Sequence, residues 1–148
     1  MSLQDQISQE IKTAMLAKDA DRLSALRMLK STLGYVQIEK KTESLSDADV
    51  VAIVQKEVKK RRDSIEQFEK GGRAELAVKE KAEITVLESF LPQALPADEL
   101  EKLVRAAIQE LGATGKKDMG PVIKAVQAKA AGRADGKSIS TLVGKLLP

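Results

Sequence analysis

Apolar residues return every three or four positions along almost the whole chain, and the places where this rhythm breaks divide it into helices. Leu3, Ile7, Ile11 and Met15 form one stripe, which predicts a first helix ending near Lys18. Asp19 or Asp21 is placed to cap a second, whose Leu23, Leu26, Leu29, Leu33 and Val36 continue to about Lys40. Ser46 or Asp47 opens a third, with Val51, Val54, Val58, Ile65 and Phe68 at heptad-like spacing, and Gly71-Gly72 stops it. A fourth runs from about Arg73 to Phe90 through Leu76, Ile84 and Leu87, with Leu91 just beyond. Arg61 breaks the pattern by standing where the third seam asks for an apolar residue. A snorkelling arginine paired with a glutamate is expected there, the alternative being a buried functional arginine.

Pro92 must end the fourth helix and Pro96 reopens the chain, so Leu91–Pro96 is the expected boundary between a domain of residues 1–91 and one of residues 96–148. Beyond it Leu100, Leu103, Val104, Ala107, Ile108 and Leu111 repeat with a 3.6 period up to Gly112. Asp118 can cap a second short helix with Pro121 in its first turn and Val122, Ile123 and Val126 facing inward, until Gly132. From about Lys137, Ile139, Leu142, Val143, Leu146 and Leu147 form the last. Helices this short are marginal alone and must pack on one another. The expected class is therefore all-α, long amphipathic helices followed by a small three-helix domain.

Composition agrees with this and narrows the chemistry. The 148 residues are 43% hydrophobic and only 2% aromatic, so the core must be aliphatic. Histidine and cysteine are both absent, which removes disulfides, imidazole and thiolate metal ligands, and the commonest bases and nucleophiles. The first thirty residues alternate apolar and charged positions, with neither a signal peptide nor a membrane span, and a cytoplasmic protein is expected. The net charge of +3 is unevenly placed. Residues 1–91 balance, whereas after Leu111 seven cations face only Asp118 and Asp135. A local positive field speaks of partners rather than of fold.

Glu75, Glu80, Glu83 and Glu88 could suggest general acid–base work, but they alternate with Lys79 and Lys81 at surface spacing, and solvated pairs are expected instead. Gly115-Lys116 and Gly136-Lys137 lack the flanking glycine and spacing of a Walker A loop. What remains is two basic turns, Gly115-Lys116-Lys117 and Gly132-Arg133-Ala134-Asp135-Gly136-Lys137, each just before a helix N-terminus. There, backbone N–H groups and the helix dipole can add to lysine charge in holding a phosphate. The candidate nucleic-acid-binding residues are Lys116, Lys117, Lys124, Arg133 and Lys137. No aromatic follows Phe90, so contact with the backbone of a structured RNA fits better than base stacking. No cofactor and no metal site is expected.

Several of these segments together resemble the YqeY-like family, also called the GatB/YqeY domain family: Leu26-Arg27-Met28-Leu29-Lys30-Ser31, Lys60-Arg61-Arg62-Asp63-Ser64-Ile65 with Phe68 and Gly72-Arg73, Glu88 with Leu91-Pro92, Asp118-Met119-Gly120, and Gly132-Arg133-Ala134-Asp135-Gly136. The resemblance implies a C-terminal domain similar to the tail of the B subunit of the glutamine-dependent tRNA amidotransferase, a tail that helps to hold tRNA. It also implies that a label of carbon–nitrogen ligase with glutamine as amido donor would be inherited from the larger enzyme's catalytic body, which nothing in this chain resembles. Pro121 stands where such proteins often carry a lysine, removing one charge from the expected contact face. Three readings compete: a non-catalytic module binding tRNA or another structured RNA, an adaptor docking on an amidotransferase or tRNA synthetase, and an amide-transfer enzyme. The adaptor requires an exposed apolar patch within residues 1–70. The enzyme ranks last, for want of a nucleophile, metal cluster or nucleotide loop.

Overall fold

A computed structural model describes residues 1–148. It is all-helical, without a strand, and no helix is long and apolar enough to cross a membrane. The chain divides into two compact units, Met1–Leu91 and Pro92–Pro148.

The N-terminal unit holds α1 (Leu3–Leu16), α2 (Ala20–Lys40), α3 (Asp47–Lys70) and α4 (Ala74–Glu88). Its helix starts follow capping chemistry: Ser2 accepts from the Asp5 N–H, Asp19 from Arg22 and Ser46 from Asp49. Gly71 closes α3, and Gly72 with φ +71° turns the chain in the left-handed region that a side chain would resist. α3 lies along α4, and α1 along α2. The polar side chain of Gln4 fastens α1 to the loop before α3, accepting from Leu45 N–H at 3.0 Å while donating to Gln37 at 2.8 Å. Between the helices lies an aliphatic core that runs from Ile7, Leu26, Leu29 and Leu33 to Val50, Val54, Leu87 and Phe90.

Arg61 departs from expectation in an informative way. It is paired, but it does not snorkel: the residue is only 5% exposed. Its Nη1 donates to Glu57 at 2.9 Å and its Nε to Glu83 at 3.0 Å, and both carboxylates are themselves buried. A further N–H reaches the sulfur of Met28 on α2 at 3.8 Å. Burial opposes the charge, yet the hydrogen bonds to Glu57 and Glu83 outweigh it and hold the guanidinium above its ordinary range. Glu83 is therefore no solvated surface acid. Glu75 and Glu88 do make exposed pairs, with Arg73 and Arg62. On the outer side of α2, Met28, Tyr35 and Ile38 remain exposed.

The C-terminal unit holds α5 (Ala97–Leu111), a single 3₁₀ turn (Lys116–Asp118), α6 (Met119–Ala130) and α7 (Gly136–Leu146). Leu100, Val104 and Ala107 of α5 meet Val122 and Val126 of α6 and Ile139 and Val143 of α7 in a separate core. Gly112, with φ +61°, ends α5. Residues 93–95 join this unit through two bonds, Leu95 N–H donating to the Arg133 carbonyl at 2.8 Å and Arg133 Nε to the Gln93 carbonyl at 2.9 Å.

Candidate nucleic-acid interface

The two basic turns lie at opposite ends of α6, whose twelve residues span about 18 Å. The first is shaped by Asp118. Its carboxylate accepts from the N–H groups of Thr114 at 3.0 Å and Gly115 at 3.3 Å, which folds the chain back on itself and sets Lys116 and Lys117 in the 3₁₀ turn. The Thr114 bond, the Gly115 bond and the nearby Lys117 charge all favour the ionised form, so the Asp118 carboxyl sits below the usual aspartate range. Asp118 thus takes the loop's donors for itself instead of capping α6 with its side chain. An anion cannot use those same N–H groups while the carboxylate holds them.

A depressed carboxyl gives a testable sign. Its stabilising contribution is complete above the unfolded pKa of about 3.9 and is lost as pH falls through the lower folded value. The melting temperature of Asp118→Asn should therefore lie below that of the parent near neutrality, with the gap closing as pH falls below about 4. A gap that stays constant to low pH would mean that Asp118 contributes shape and not charge.

The second turn is built on two consecutive left-handed residues, Ala131 with φ +49° and Gly132 with φ +85°. They reverse the chain sharply enough for the Arg133 N–H to donate to the Ala130 carbonyl at 2.9 Å. Asp135 then caps α7, accepting from Ser138 N–H at 2.7 Å. Here too a carboxylate occupies part of the helix N-terminus. The dipole-and-amide half of the expected phosphate site is therefore already engaged at both turns, and the lysine charge carries what attraction remains.

The five candidate cations differ in how free they are. Lys116 Nζ donates to the Gly144 carbonyl near the end of α7, and Arg133 is half-buried with its Nε committed to Gln93. Lys117, Lys124 and Lys137 are exposed and reach no carboxylate within an ion-pair distance. Lys129, by contrast, pairs with Glu110 at 2.8 Å. Lys124 sits on the side of α6 away from Val122, Val126 and Ala130, so it projects between the two turns. Sequence spacing alone did not single out Lys102, which joins Lys129 and Arg133 around a cavity of about 270 Å³ floored by Leu103 and Ala130, with Glu99 as its one carboxylate. Only the packing of α5 on α6 reveals that grouping, because the contributing residues are far apart along the chain.

Known proteins resemble this chain over much of its length. The protein of Kluyveromyces lactis named altered inheritance of mitochondria protein 41, mitochondrial, is 34% identical over 140 residues, covering 95% of this chain and 71% of its own length. The protein of the same name from Eremothecium gossypii is 34% identical over 111 residues, 73% of this chain and 60% of its own. An uncharacterized protein of Schizosaccharomyces pombe is 35% identical over 92 residues, 62% of this chain and 74% of its own. The expectation of a cytoplasmic protein is overturned by these names, since two of the three relatives are designated mitochondrial. Residues 4–147, nearly the whole length, match the family described as Yqey-like protein, and the chain belongs to that family.

Proposed function

We propose that the C-terminal unit is a non-catalytic RNA-binding module, acting on tRNA or a similarly structured RNA as an accessory to another protein's chemistry. One observation carries this reading: Lys117, Lys124 and Lys137 stand exposed and outside any ion pair along one helix and its flanking turns, in a segment after Leu111 where seven cations face two carboxylates, whereas cations and carboxylates balance in residues 1–91. Unpaired lysines spread over about 18 Å match the phosphates of a folded backbone better than a single bound anion does. A tail-like C-terminal domain, which the resemblance to the GatB/YqeY domain family implies, is in keeping with the same assignment. No nucleophile–base pair accompanies the cations, so the module holds RNA and leaves chemistry to its partner.

Binding of bulk tRNA to the full chain should weaken with salt. With Arg133 as a fourth contact, log K should fall against log[salt] with a slope of roughly −3 to −4, at about 0.9 per duplex phosphate. The triple variant Lys117→Glu, Lys124→Glu, Lys137→Glu should lose binding and flatten that slope while keeping its helical circular dichroism. The triple variant Lys12→Glu, Lys59→Glu, Lys79→Glu makes the same charge change in the N-terminal unit. Equal loss of affinity in both would reduce the interaction to a response to net charge and remove the proposed site.

A further inference from the structure

α2 is apolar on two sides. Its inner side carries Ala25, Leu26, Leu29 and Leu33. Its outer side carries Tyr35 and Ile38, 71% and 75% exposed, with Met28 beside them, 54% exposed and with its sulfur turned towards Arg61. Together with Ser24 and Ser31, these outer residues follow one another at steps of four, three, four and three, the seam by which one helix packs along another. Gly34 lies at the edge of this face. A glycine weakens a helix interior, and nothing stands within 4 Å of where its Cβ would be, so no contact within the chain calls for it. Bare backbone beside an apolar seam suits the close approach of a second helix.

We infer that this face is a contact between two copies of the chain, with α2 lying antiparallel on α2 of the second copy about a twofold axis at Ser31. In that register each residue faces the one equally far on the other side of Ser31. Ile38 then lies over Ser24 of the second copy and Met28 over its Gly34, large side chain over small in both cases. Tyr35 meets Arg27, a ring beside a guanidinium. At both ends Asp21 comes to the side of Lys41, the left-handed residue that caps α2, and these two residues are exposed and lie outside every ion pair of their own chain. A parallel arrangement would instead set Asp21 against Asp21, Arg27 against Arg27 and Tyr35 against Tyr35. The charge pattern is self-complementary only when the helices run in opposite directions. A single pair of helices buries less than the roughly 1,200 Å² of a standard interface, so the dimer is weak and concentration-dependent.

The full chain contains no cysteine, so one introduced thiol reports its own surroundings. Sedimentation equilibrium across roughly 1–500 µM, the range suited to an interface this small, should show the mass rising from monomer towards dimer. Tyr35→Lys, which sets a cation against Arg27 of the second copy, and Ile38→Glu, both at exposed positions, should keep the parent's helical signal and weaken association by about tenfold or more. Under mild oxidation Ser31→Cys should give a disulfide-linked dimer much faster than Lys124→Cys, an exposed site on α6. A parent chain that stays monomeric throughout, with Ser31→Cys linking no faster than Lys124→Cys, overturns the inference and leaves the face to a different protein. Association that Tyr35→Lys and Ile38→Glu leave unchanged overturns it as well, because the dimer then forms elsewhere.

Discussion

Arg61→Ala is expected to destabilise the N-terminal unit by about 3–5 kcal/mol, the cost of removing one partner from a buried ionic group. The cause is what stays behind: the carboxylates of Glu57 and Glu83, 5% and 4% exposed, would share a dry site with no guanidinium between them. Lys60 approaches Glu57 only from the surface, at 3.5 Å, and cannot replace the fork that bridges α3 to α4. For a unit of this size the midpoint of thermal unfolding should fall by more than roughly 10 °C. Arg61→Lys keeps a charge but loses the two-armed geometry, and should fall between parent and alanine variant. Replacing Glu57, Arg61 and Glu83 together by leucine should cost less than Arg61→Ala alone, since no charge is then left unpaired. A loss below about 1 kcal/mol for Arg61→Ala would show that water reaches the cluster and solvates the acids.

The second large effect is expected in the smaller unit. Ile139 is fully buried between α5 and α6, among Val104, Val122 and Val126. Ile139→Ala should cost about 2–5 kcal/mol through lost transfer energy and a residual cavity. The whole stability of a unit spanning Pro92–Pro148 is only about 3–9 kcal/mol at the usual 0.05–0.15 kcal/mol per residue. The substitution should therefore unfold much of this unit while residues 1–91 keep their helices. Amide spectra would show it directly, as collapsed dispersion for Val104, Val122 and Val143 beside unshifted signals for Leu26, Val54 and Leu87. Loss of both sets together would mean that the two units fold as one.

Most helices were legible because their caps and breakers are strong. Ser46, Asp19 and Gly71 act where their chemistry indicates. Errors within helices came from phase. Steps of four residues rotate a stripe by about 40° each, so by Met15 the stripe begun at Leu3 has left the core. Met15 is 51% exposed, and Ala14 is buried in its place. In α4 the cause differs: Leu76 shares Leu87's side of the helix but stands in its first turn, where it is 39% exposed, while Ala77 is buried. The oddity of Arg61 could be read from its position in the seam, but Glu83 stands 22 residues away on another helix, and no local spacing pairs them. At the basic turns the sequence correctly separates lysines from apolar stripes. An aspartate just before a helix start caps or forms a turn by residue type, and Asp135 caps α7 accordingly; what the sequence does not reveal is that Asp118 would take the preceding amides of Thr114 and Gly115 in place of those of α6.

The N-terminal core also bears on how the chain is made. Ile7 belongs to its first helix, whereas Leu87 and Phe90, both buried in the same core, come at the very end of the unit. During synthesis the early helices can form as they leave the ribosome, but the apolar side of α2 and α3 lacks its last cover until those residues have emerged. A ribosome paused before Leu87 would hold a chain with helices and an open core, the state most open to chaperones and proteases.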